Sequence, residues 1–451
     1  MKKVSHCRAC GSSALSPAFS LEGMTTGRRG GRKSAPADFV LCDTTQNAFG
    51  CGLLQLGKVD RRAEAPMTPS GAYRANRSHL REIATEALEV ISGRDCAALD
   101  IGCNDGTLLS FYPRWVDRYG VDADAIVESV GQWAWTARAA FPSPELDKAF
   151  GDKKFDIITC ASVLETVDDP RAFLARIKAL LSDDGVVVIE TLYAPIAIAK
   201  ASGEVLGAGA RAVYSLGVLE RLLRDCDLKI FRGALTDKSG GSIRLFLTHD
   251  HVDDYDFDPW YERLARLWDE ENALSLRTTT SYQAFENRAR AGRELFQAIL
   301  TRCREDGDTV HLLSDGPDAL ATYRWAGDAG AVFAAAVSEK PPETGAYLCD
   351  HGPVLISQTD CRAAEPDILV APTALKREML ERWREAIMRG AQMLIPGPDP
   401  IMIGAHNFSA EFGKLLSDGD AGGDVETLRT ILTAAGGPRL VAVNEAREET
   451  G

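Results

Sequence analysis

Three residues of one short turn have the types and spacing expected of a ligand cradle. Asp100, Gly102 and Gly106 belong to a turn that ends an apolar run beginning at Ala97. Such a run is typical of a buried parallel strand, and glycine lets the backbone approach a ligand that a Cβ atom would hold away. Dinucleotide-binding proteins carry G-x-G-x-x-G, which brings a diphosphate to a helix N-terminus, whereas the spacing here is D-x-G-x-x-x-G. The turn therefore favours another guest.

A carboxylate follows where a ribose-binding group is expected. Asp122 lies about 20 residues beyond the turn, at the end of a second predicted strand, and its two oxygens can accept both ribose hydroxyls. A third strand is predicted at 155–160 and a fourth at 185–190, with an amphipathic helix at 171–181 between them. Together these features resemble a class I S-adenosylmethionine (SAM) methyltransferase domain. The resemblance implies that SAM is the cofactor.

Four cysteines near the N-terminus have a metal-binding pattern. Cys7 and Cys10 form a C-x-x-C pair, and Cys42 and Cys51 follow with a longer spacing. Four thiolates hold tetrahedral zinc in closed, structural sites and so stabilise segments with little hydrophobic core. Free thiols are the alternative, and His6 is a possible substitute ligand.

Several stretches resemble the sugar C-methyltransferases: residues 51–56, 73–78, 238–246 and 337–353. Members of that family methylate carbon in nucleotide-linked keto-deoxysugars. They have an N-terminal zinc-binding domain, a central SAM domain and a C-terminal domain. The resemblance implies that Tyr73 faces the active site, whereas the sequence alone is equally consistent with a packed aromatic side chain.

We predict an α/β fold. Its centre is a class I SAM methyltransferase domain with a Rossmann-like sheet, between a small N-terminal zinc-binding domain and a second, C-terminal Rossmann-like α/β domain. In the C-terminal part, strands predicted from Thr309, at 332–337 and at 367–371 alternate with helices, which is typical of a parallel sheet. The expected boundaries are 1–62 for the zinc-binding domain, 63–250 for the methyltransferase domain, 251–305 for a helical connector and 306–451 for the C-terminal domain.

The resemblance also implies which residues form the sites. Contacts with SAM are expected from Asp100, Gly102, Asn104, Asp105, Gly106, Asp122, Ala161 and Ser162. Contacts with the acceptor are expected from Gly240, Gly241, Ser242 and Arg244, because the glycines permit close approach and the other two offer hydrogen-bond donors. The zinc ligands are expected to be Cys7, Cys10, Cys42 and Cys51.

The histidines of the family's active site are missing. The Tyr-His-Glu-His motif falls on 207–210, where Ala208 and Ala210 replace the histidines and Gly209 replaces the glutamate. Ser239 replaces the histidine of a His-Gly-Gly-Ser motif. Carbon methylation needs an enolate and hence a base within hydrogen-bond reach of an acidic C–H, which alanine and glycine cannot supply. The candidates for a relocated catalytic group are Tyr73, His79 and Tyr214.

Three functional hypotheses follow. The first is a SAM-dependent methyltransferase that acts on oxygen, nitrogen or an already acidic carbon of a sugar nucleotide or related small polar metabolite. Alignment with the sulfonium methyl group would then supply most of the catalysis. Deoxysugar, polysaccharide or secondary-metabolite biosynthesis is the expected setting. The second is keto-deoxysugar C-methylation with a relocated base, and the third is a SAM- or sugar-nucleotide-binding partner protein without turnover.

Composition limits the partners. The chain has 451 residues and a net charge of -14, which opposes binding to nucleic-acid phosphates. It has neither a long apolar run nor the apolar core of a signal peptide, so we expect a cytoplasmic protein that does not enter membranes. The 11 cysteines are an odd number, which disfavours a disulfide framework. We expect a small-molecule substrate, and the sequence does not specify the oligomeric state.

Overall fold

The structure, a computed structural model, describes residues 2–22, 36–59, 69–91, 96–200, 206, 210–236, 238–253, 255, 258–339, 342–397 and 399–420. Two small antiparallel sheets form its N-terminal part. Their strands are β1 (Lys2–Lys3), β2 (Leu15–Leu21), β3 (Ala37–Cys42), β4 (Leu54–Leu56) and β5 (Lys58–Val59). β1 pairs with β5, and β2, β3 and β4 pair in order with a later strand, Ala212–Val213, beside β4. The N-terminal sheet is thus completed by a strand from the central part of the chain.

The central part is a seven-stranded sheet flanked by helices. The strands and helices of this part of the chain are α1 (Arg74–Ile91), β6 (Ala97–Ile101), α2 (Thr107–Ser110), β7 (Asp117–Asp122), β8 (Trp135–Arg138), α3 (Pro144–Phe150), β9 (Phe155–Ala161), α4 (Pro170–Leu180), β10 (Leu181–Leu192), α5 (Ala194–Ala199), β11 (Ala212–Val213), α6 (Leu216–Arg224), β12 (Leu228–Thr236) and β13 (Ser242–His249). Of these strands, β11 is the one that pairs with β4 in the N-terminal sheet. The order across the sheet is β12-β13-β10-β9-β6-β7-β8, and β13 runs antiparallel to both neighbours. The five strands from β10 to β8 in this order pair with one another in parallel.

Two helices connect the central sheet to a six-stranded C-terminal sheet. This part comprises α7 (Asp258–Ala273), α8 (Thr280–Asp306), β14 (Val310–Leu313), α9 (Pro317–Ala326), β15 (Phe333–Ser338), β16 (Val354–Ser357), α10 (Gln358–Ala364), β17 (Ile368–Val370), α11 (Lys376–Arg389), β18 (Gln392–Ile395), β19 (Ile401–Ile403) and α12 (Phe408–Asp420). The order is β16-β15-β14-β17-β18-β19, with β19 antiparallel to β18. The predicted α/β class with two parallel-rich sheets is confirmed.

Helix α1 illustrates how the sequence pattern directs packing. Its buried residues recur at intervals of three and four, which places them on one helical face: Leu80, Ile83, Ala84, Ala87 and Ile91. That face packs against β9 and β10. The first turn of α1 lies before this apolar face begins and is mostly polar. Its residues are therefore left to make specific contacts with the C-terminal part. No helix among the described residues is both long enough and apolar enough to cross a bilayer.

The two large sheets meet at their carboxyl edges. The hydroxyl of Tyr73, just before α1, donates a 2.9 Å hydrogen bond to Ser314 Oγ, which directly follows β14. The 3₁₀ turn Lys238–Gly240, which leads into β13, contacts the turn Thr373–Leu375 after β17. In open parallel sheets, ligands bind outside the carboxyl ends where the strand order reverses. Here those points are β6/β9 in the central sheet and β14/β17 in the C-terminal sheet.

Candidate active site between two sheet edges

The glycine turn has the geometry that only glycine accepts readily. Gly102 and Gly106 have φ values of +76° and +72°. The Gly102 N–H donates to the Val121 carbonyl at 2.7 Å, which fixes the start of the turn against β7. A Cβ atom on Gly102 would lie 2.3 Å from Val163 Cγ2, closer than real Cβ contacts occur. Both the backbone conformation and the crowding therefore require glycine here.

The two aspartates predicted to serve SAM have different environments. Asp100 is buried and accepts a 2.6 Å hydrogen bond from Thr159 Oγ1, and burial raises the pKa of its carboxyl to about 7. Asp122, at the carboxyl end of β7, accepts from the N–H groups of Asn104 at 3.0 Å and Asp124 at 2.8 Å. Asp100 thus joins two strands inside the sheet, whereas Asp122 lies half-buried at the edge where a ligand would approach.

The side chains of Asn104 and Asp105 hold another part of the protein. Asn104 Oδ1 accepts from the Ser70 N–H at 2.9 Å, and Asp105 Oδ2 accepts from the Gly71 N–H at 3.0 Å. These bonds fasten the segment before Tyr73 to the glycine turn. We refer to residues 69–73 as the cover segment. Contact of Asn104 and Asp105 with SAM stays a prediction, while their side chains accept from main-chain donors of this segment.

The next two predicted donor-site residues lie at the end of β9. Ala161 is the last residue of this strand, and Ser162 has a φ of +58°. The Ser162 N–H donates to the Glu190 carbonyl at 2.8 Å, which joins the carboxyl ends of β9 and β10. Val163 then packs against Gly102, as the crowding described above shows. The structure therefore brings the glycine turn, Ala161 and Ser162 to one edge of the sheet.

A buried ionic network lies beside this edge. His79 Nε2 lies 2.5 Å from Glu190 Oε1, and Arg244 Nε donates to Glu190 Oε2 at 3.0 Å. Arg244 also pairs with Glu86, at 2.8 Å. Burial alone would raise the pKa of Glu190, but the charges of His79, Arg244 and Lys238 outweigh burial and lower it to about 2. Glu190 is therefore a carboxylate that is fully enclosed and fully ionised at neutral pH.

Arg244 has little capacity left for an acceptor. It is 2% exposed, and its guanidinium is engaged by Glu190 and Glu86. Its terminal nitrogen lies 3.5 Å from both ring nitrogens of His79. Sequence reasoning expected Arg244 to bind the acceptor. In the structure its guanidinium holds Glu190, and contact with an acceptor stays a prediction.

The glycines next to Arg244 shape the turn before β13. Gly240 and Gly241 have φ values of +82° and +146°, and a Cβ atom on Gly241 would lie 2.0 Å from Ile196 Cγ2. The hydroxyl of Ser242 donates to the Lys238 carbonyl at 2.9 Å and closes this turn. The three residues thus hold the Lys238–Gly240 turn at the meeting point of the two sheets.

The three candidate catalytic residues occupy different places. Tyr73 and His79 lie at the start of α1, one facing Ser314 and the other facing Glu190. Tyr214 is fully buried with the N-terminal cysteines, and its hydroxyl donates to the Leu164 carbonyl at 3.3 Å. Burial raises the pKa of both tyrosines, so each hydroxyl stays protonated at neutral pH. Of the three, His79 is the one whose side chain contacts a carboxylate, as the imidazole of many general bases does.

The positions of the missing family histidines are described only in part. Ala210 is buried, whereas Ala208 and Gly209 lie outside the described residues, as does the side chain of Ser239. Sequence reasoning missed Glu190, Ser314 and Lys238, which lie at the meeting edges. Glu190 lies near the carboxyl end of an apolar strand, and Ser314 directly follows one. A polar residue at the carboxyl end of an apolar strand is the sequence feature that could have identified these two.

The four N-terminal cysteines converge. Their sulfur atoms all lie within 4.8 Å of one another, and the Cys7–Cys51 and Cys10–Cys42 sulfur pairs are each 3.5 Å apart. Tetrahedral zinc with bonds of ~2.3 Å holds its sulfur ligands ~3.8 Å apart, so the cluster fits this ion. Hydrogen bonds within the cluster lower the pKa of the Cys10 and Cys42 thiols and raise the pKa of the Cys7 and Cys51 thiols. The longer Cys42–Cys51 spacing therefore does not prevent convergence.

Comparison with known proteins gives matches over both large sheets. A family model described as a methyltransferase domain matches residues 73–231, and one described as a C-methyltransferase C-terminal domain matches residues 237–398. The ubiquinone biosynthesis O-methyltransferase of Pasteurella multocida is 27% identical over 162 residues, which are 31% of this chain and 64% of that protein. The chain therefore spans less than two thirds of that relative's length.

Solved structures with local similarity are also methyltransferases. A SAM-dependent methyltransferase from Clostridium acetobutylicum is 13% identical, with 38% of this chain and 92% of that one covered and a TM-score of 0.31. Magnesium protoporphyrin IX methyltransferase from Synechocystis, with bound SAM, is 14% identical, with 38% and 79% covered and a TM-score of 0.30. The two family models match consecutive parts of the chain, so a methyltransferase-domain match is followed by a match to a C-methyltransferase C-terminal domain.

Proposed function

We propose that the protein transfers the methyl group of SAM to a small polar acceptor, a sugar nucleotide or a related metabolite. The expected setting is deoxysugar, polysaccharide or secondary-metabolite biosynthesis. The observation that carries the proposal is the glycine turn at the β6/β9 switch point, with the Asp122 carboxylate beside it. The family matches support methyl transfer as the reaction class.

In the proposed donor site, different residues at the carboxyl edge of the central sheet would contact different parts of SAM. Asp122 would accept hydrogen bonds from the ribose hydroxyls, and the Gly102–Gly106 backbone would lie against the methionine part. Ala161 and Ser162 would form the adjoining wall. Asn104 and Asp105 would act indirectly, by holding the cover segment over the turn.

The acceptor would lie between the two carboxyl edges. A lone pair on the acceptor attacks the methyl carbon in line with the carbon–sulfur bond, which breaks as the new bond forms and leaves S-adenosylhomocysteine (SAH). The acceptor's proton goes to a base or to water. Tyr73, Gly240, Gly241 and Ser242 would line this space without supplying that base, since their polar groups already have partners within the protein. Alignment of the two substrates is then the main source of rate.

A second candidate function, C-methylation of a keto-deoxysugar, is favoured by the His79–Glu190 pair. A buried carboxylate that holds an imidazole in one orientation is the arrangement of many general bases. His79 would accept the proton next to the acceptor's ketone through its other ring nitrogen, leaving an enolate whose carbon attacks the methyl group. Such a base contributes ~10²–10⁴ in rate. A His79→Gln variant would then lose methylation on carbon, but would keep methylation on oxygen or nitrogen.

Structural zinc is the proposed role of the four cysteines. A closed site of four thiolates leaves no open position for catalysis. The cluster shares a hydrophobic core with the central sheet, since Cys7, Cys42 and Cys51 pack in one group with Tyr214. Zinc would therefore stabilise the packing of the N-terminal part on the methyltransferase domain.

A labelled-methyl assay tests this function. The protein is incubated with SAM carrying an isotope-labelled methyl group and a panel of nucleotide-linked keto-deoxysugars, and the product is analysed for label on carbon, oxygen or nitrogen. Label on oxygen or nitrogen supports the first hypothesis, and label on carbon supports the second. Binding of SAM and of an acceptor without transfer to any of the panel would contradict the enzymatic function and favour a non-catalytic partner protein.

A further inference from the structure

Lys238 occupies a position shared by both large sheets. It opens the 3₁₀ turn that precedes β13, and this turn contacts the Thr373–Leu375 turn of the C-terminal part. Its Nζ atom donates a 2.7 Å hydrogen bond to Asn76 Oδ1, on the first turn of α1. Three elements that surround the proposed acceptor space therefore converge on one half-buried ammonium group.

The charge of Lys238 acts on carboxyl groups from both sides of the space. Burial raises the pKa of Glu165 and Asp318, and the Lys238 charge opposes that effect at each. It also helps to lower the pKa of Glu190. Glu190 belongs to β10 of the central sheet and Glu165 to the 3₁₀ turn Leu164–Thr166 that follows β9, whereas Asp318 lies in the first turn of α9, in the C-terminal part. The Lys238 ammonium group therefore interacts electrostatically with carboxyl groups of both the central and the C-terminal part.

None of these carboxylates is an ion-pair partner of Lys238. Glu190 is engaged by His79 and Arg244, and Glu165 accepts from Thr191 Oγ1 at 2.9 Å. Among the ion pairs of the described residues, none within 4.0 Å joins Lys238 to a carboxylate. An ammonium has three donors, and Asn76 accepts from one of them. For its other two donors, the described residues provide no carboxylate ion-pair partner.

We propose that Lys238 binds the oxygen of the acceptor on which negative charge develops when the acceptor loses its proton before methyl transfer. This inference rests on the proposed function. If the acceptor is a ketone, that oxygen becomes the enolate oxygen, and if it is a hydroxyl, it becomes the alkoxide oxygen. Lys238 donates a hydrogen bond and keeps its proton, so the base remains a different group. A preorganised cation at such an oxygen typically contributes ~10²–10³ in rate.

Asn76 is the positioning residue in this arrangement. Its side-chain oxygen holds the ammonium, and its amide nitrogen donates to the Ser70 carbonyl at 2.7 Å. Ser70 belongs to the cover segment, which the glycine turn holds in place through Asn104. The proposed SAM site and the acceptor-binding lysine are therefore connected through two hydrogen-bonded residues. We expect Asn76→Ala to weaken oxyanion binding less than loss of Lys238 does.

Oxalate, a small and stable mimic of an enolate, is the probe that tests the inference. Its binding to the full-length protein is measured by calorimetry with and without SAH, for wild type, Lys238→Met, Lys238→Arg and Lys178→Met. Lys178 is a matched control because it belongs to α4 and forms an exposed ion pair with Asp227. We expect Lys238→Met to weaken oxalate binding about 10- to 100-fold, as loss of a charged hydrogen bond does, and Lys238→Arg to weaken it far less.

The outcomes separate this inference from the proposed function. SAH binding alone reports on the donor site, whatever oxalate does. Absence of oxalate binding to wild type at ~50 mM, or equal binding by wild type and Lys238→Met, would overturn the role of Lys238. If Lys238→Met loses thermal stability but binds oxalate as wild type does, Lys238 serves only to join the two sheets. Loss confined to the Lys238 variants, with SAH binding intact, supports the inference.

Discussion

The imidazole of His79 lies 2.5 Å from the carboxylate of Glu190, and Arg244 holds the second oxygen of that carboxylate at 3.0 Å. The pair joins helix α1 to strand β10 of the seven-stranded sheet. Glu190 is fully buried, so its charge depends on these two partners. This arrangement determines how the protein should respond to acid.

We expect the Glu190 network to make stability fall at low pH. His79 and Arg244 outweigh burial and lower the pKa of Glu190 from 4.5 to about 2. A carboxyl whose folded pKa is lowered contributes stability above its unfolded pKa and loses it as pH falls towards the folded value. Urea unfolding should therefore show a steeper loss between about pH 5 and pH 3 for wild type than for Glu190→Gln.

The same variant tests the network at neutral pH. Glu190→Gln removes the fully buried one of the carboxylates that pair with Arg244, and breaking a buried pair typically costs ~3–5 kcal/mol of unfolding free energy. Glu128→Gln is the control, because the Glu128–Arg138 pair is exposed and such pairs contribute little. Equal stability of the two variants would show that the Glu190 network does not stabilise the fold.

The glycine turn allows a comparison of two glycines that differ in how closely their surroundings approach. Gly102 and Gly151 both have positive φ, but a Cβ atom on Gly102 would lie 2.3 Å from Val163, whereas one on Gly151 has no atom within 4 Å. We expect Gly151→Ala to lower the unfolding free energy by ~1 kcal/mol, through backbone strain alone. Gly102→Ala should cost more and should also weaken SAH binding.

Chemical denaturation and calorimetry on the two glycine variants measure both effects. A Gly102→Ala protein as stable as Gly151→Ala, with unchanged SAH affinity, would contradict the crowding at the turn. Restoring part of the stability with Val163→Ala would identify the clash directly.

Removal of the Tyr73 hydroxyl should affect stability more than chemistry. Tyr73→Phe deletes the 2.9 Å hydrogen bond to Ser314, and we expect it to lower the unfolding free energy by ~1 kcal/mol. Burial keeps the pKa of Tyr73 high, so the hydroxyl cannot act as a base near pH 7. The pH profile of kcat should therefore be unchanged. Tyr347→Phe, at an exposed position, is the matched control. A lost basic limb in the profile of Tyr73→Phe would assign this tyrosine a catalytic proton transfer.

Zinc content tests the cysteine cluster. We expect one zinc ion per chain by elemental analysis, and a large loss of zinc and of thermal stability in Cys51→Ser, because the ligand set becomes incomplete. Cys349→Ser should retain the metal, since Cys349 lies in the C-terminal part, outside the cluster. Metal-free wild-type protein with unchanged stability would refute the structural role of zinc.

The local features of the donor site were predictable from sequence. An apolar run followed by spaced glycines determined the β6 turn, and the strand predicted at 155–160 is β9, Phe155–Ala161. These predictions succeed because strand periodicity and glycine's permissive backbone act over a few residues. The cysteine cluster was likewise visible as a spacing, although its convergence depends on how β3 pairs with β2 and β4.

The long-range contacts of the site were not predictable in this way. Asn104 and Asp105 bind residues about thirty positions earlier, and Tyr73 binds a serine 241 positions later. Which partner a polar side chain selects depends on the packing of whole sheets, and no local pattern records it. Arg244 shows the same limit, because the carboxylates that engage it come from α1 and β10.

Calorimetric titration with SAH tests the proposed donor site most directly, using Asp122→Asn and Asp117→Asn beside wild type. The two aspartates lie at opposite ends of β7, and Asp117 opens the strand on the side away from the glycine turn. A donor site at the carboxyl edge predicts one SAH bound per chain of wild type and of Asp117→Asn, with affinity about tenfold or more weaker in Asp122→Asn. Absence of binding to wild type at millimolar SAH, or equal affinity in all three proteins, would contradict it.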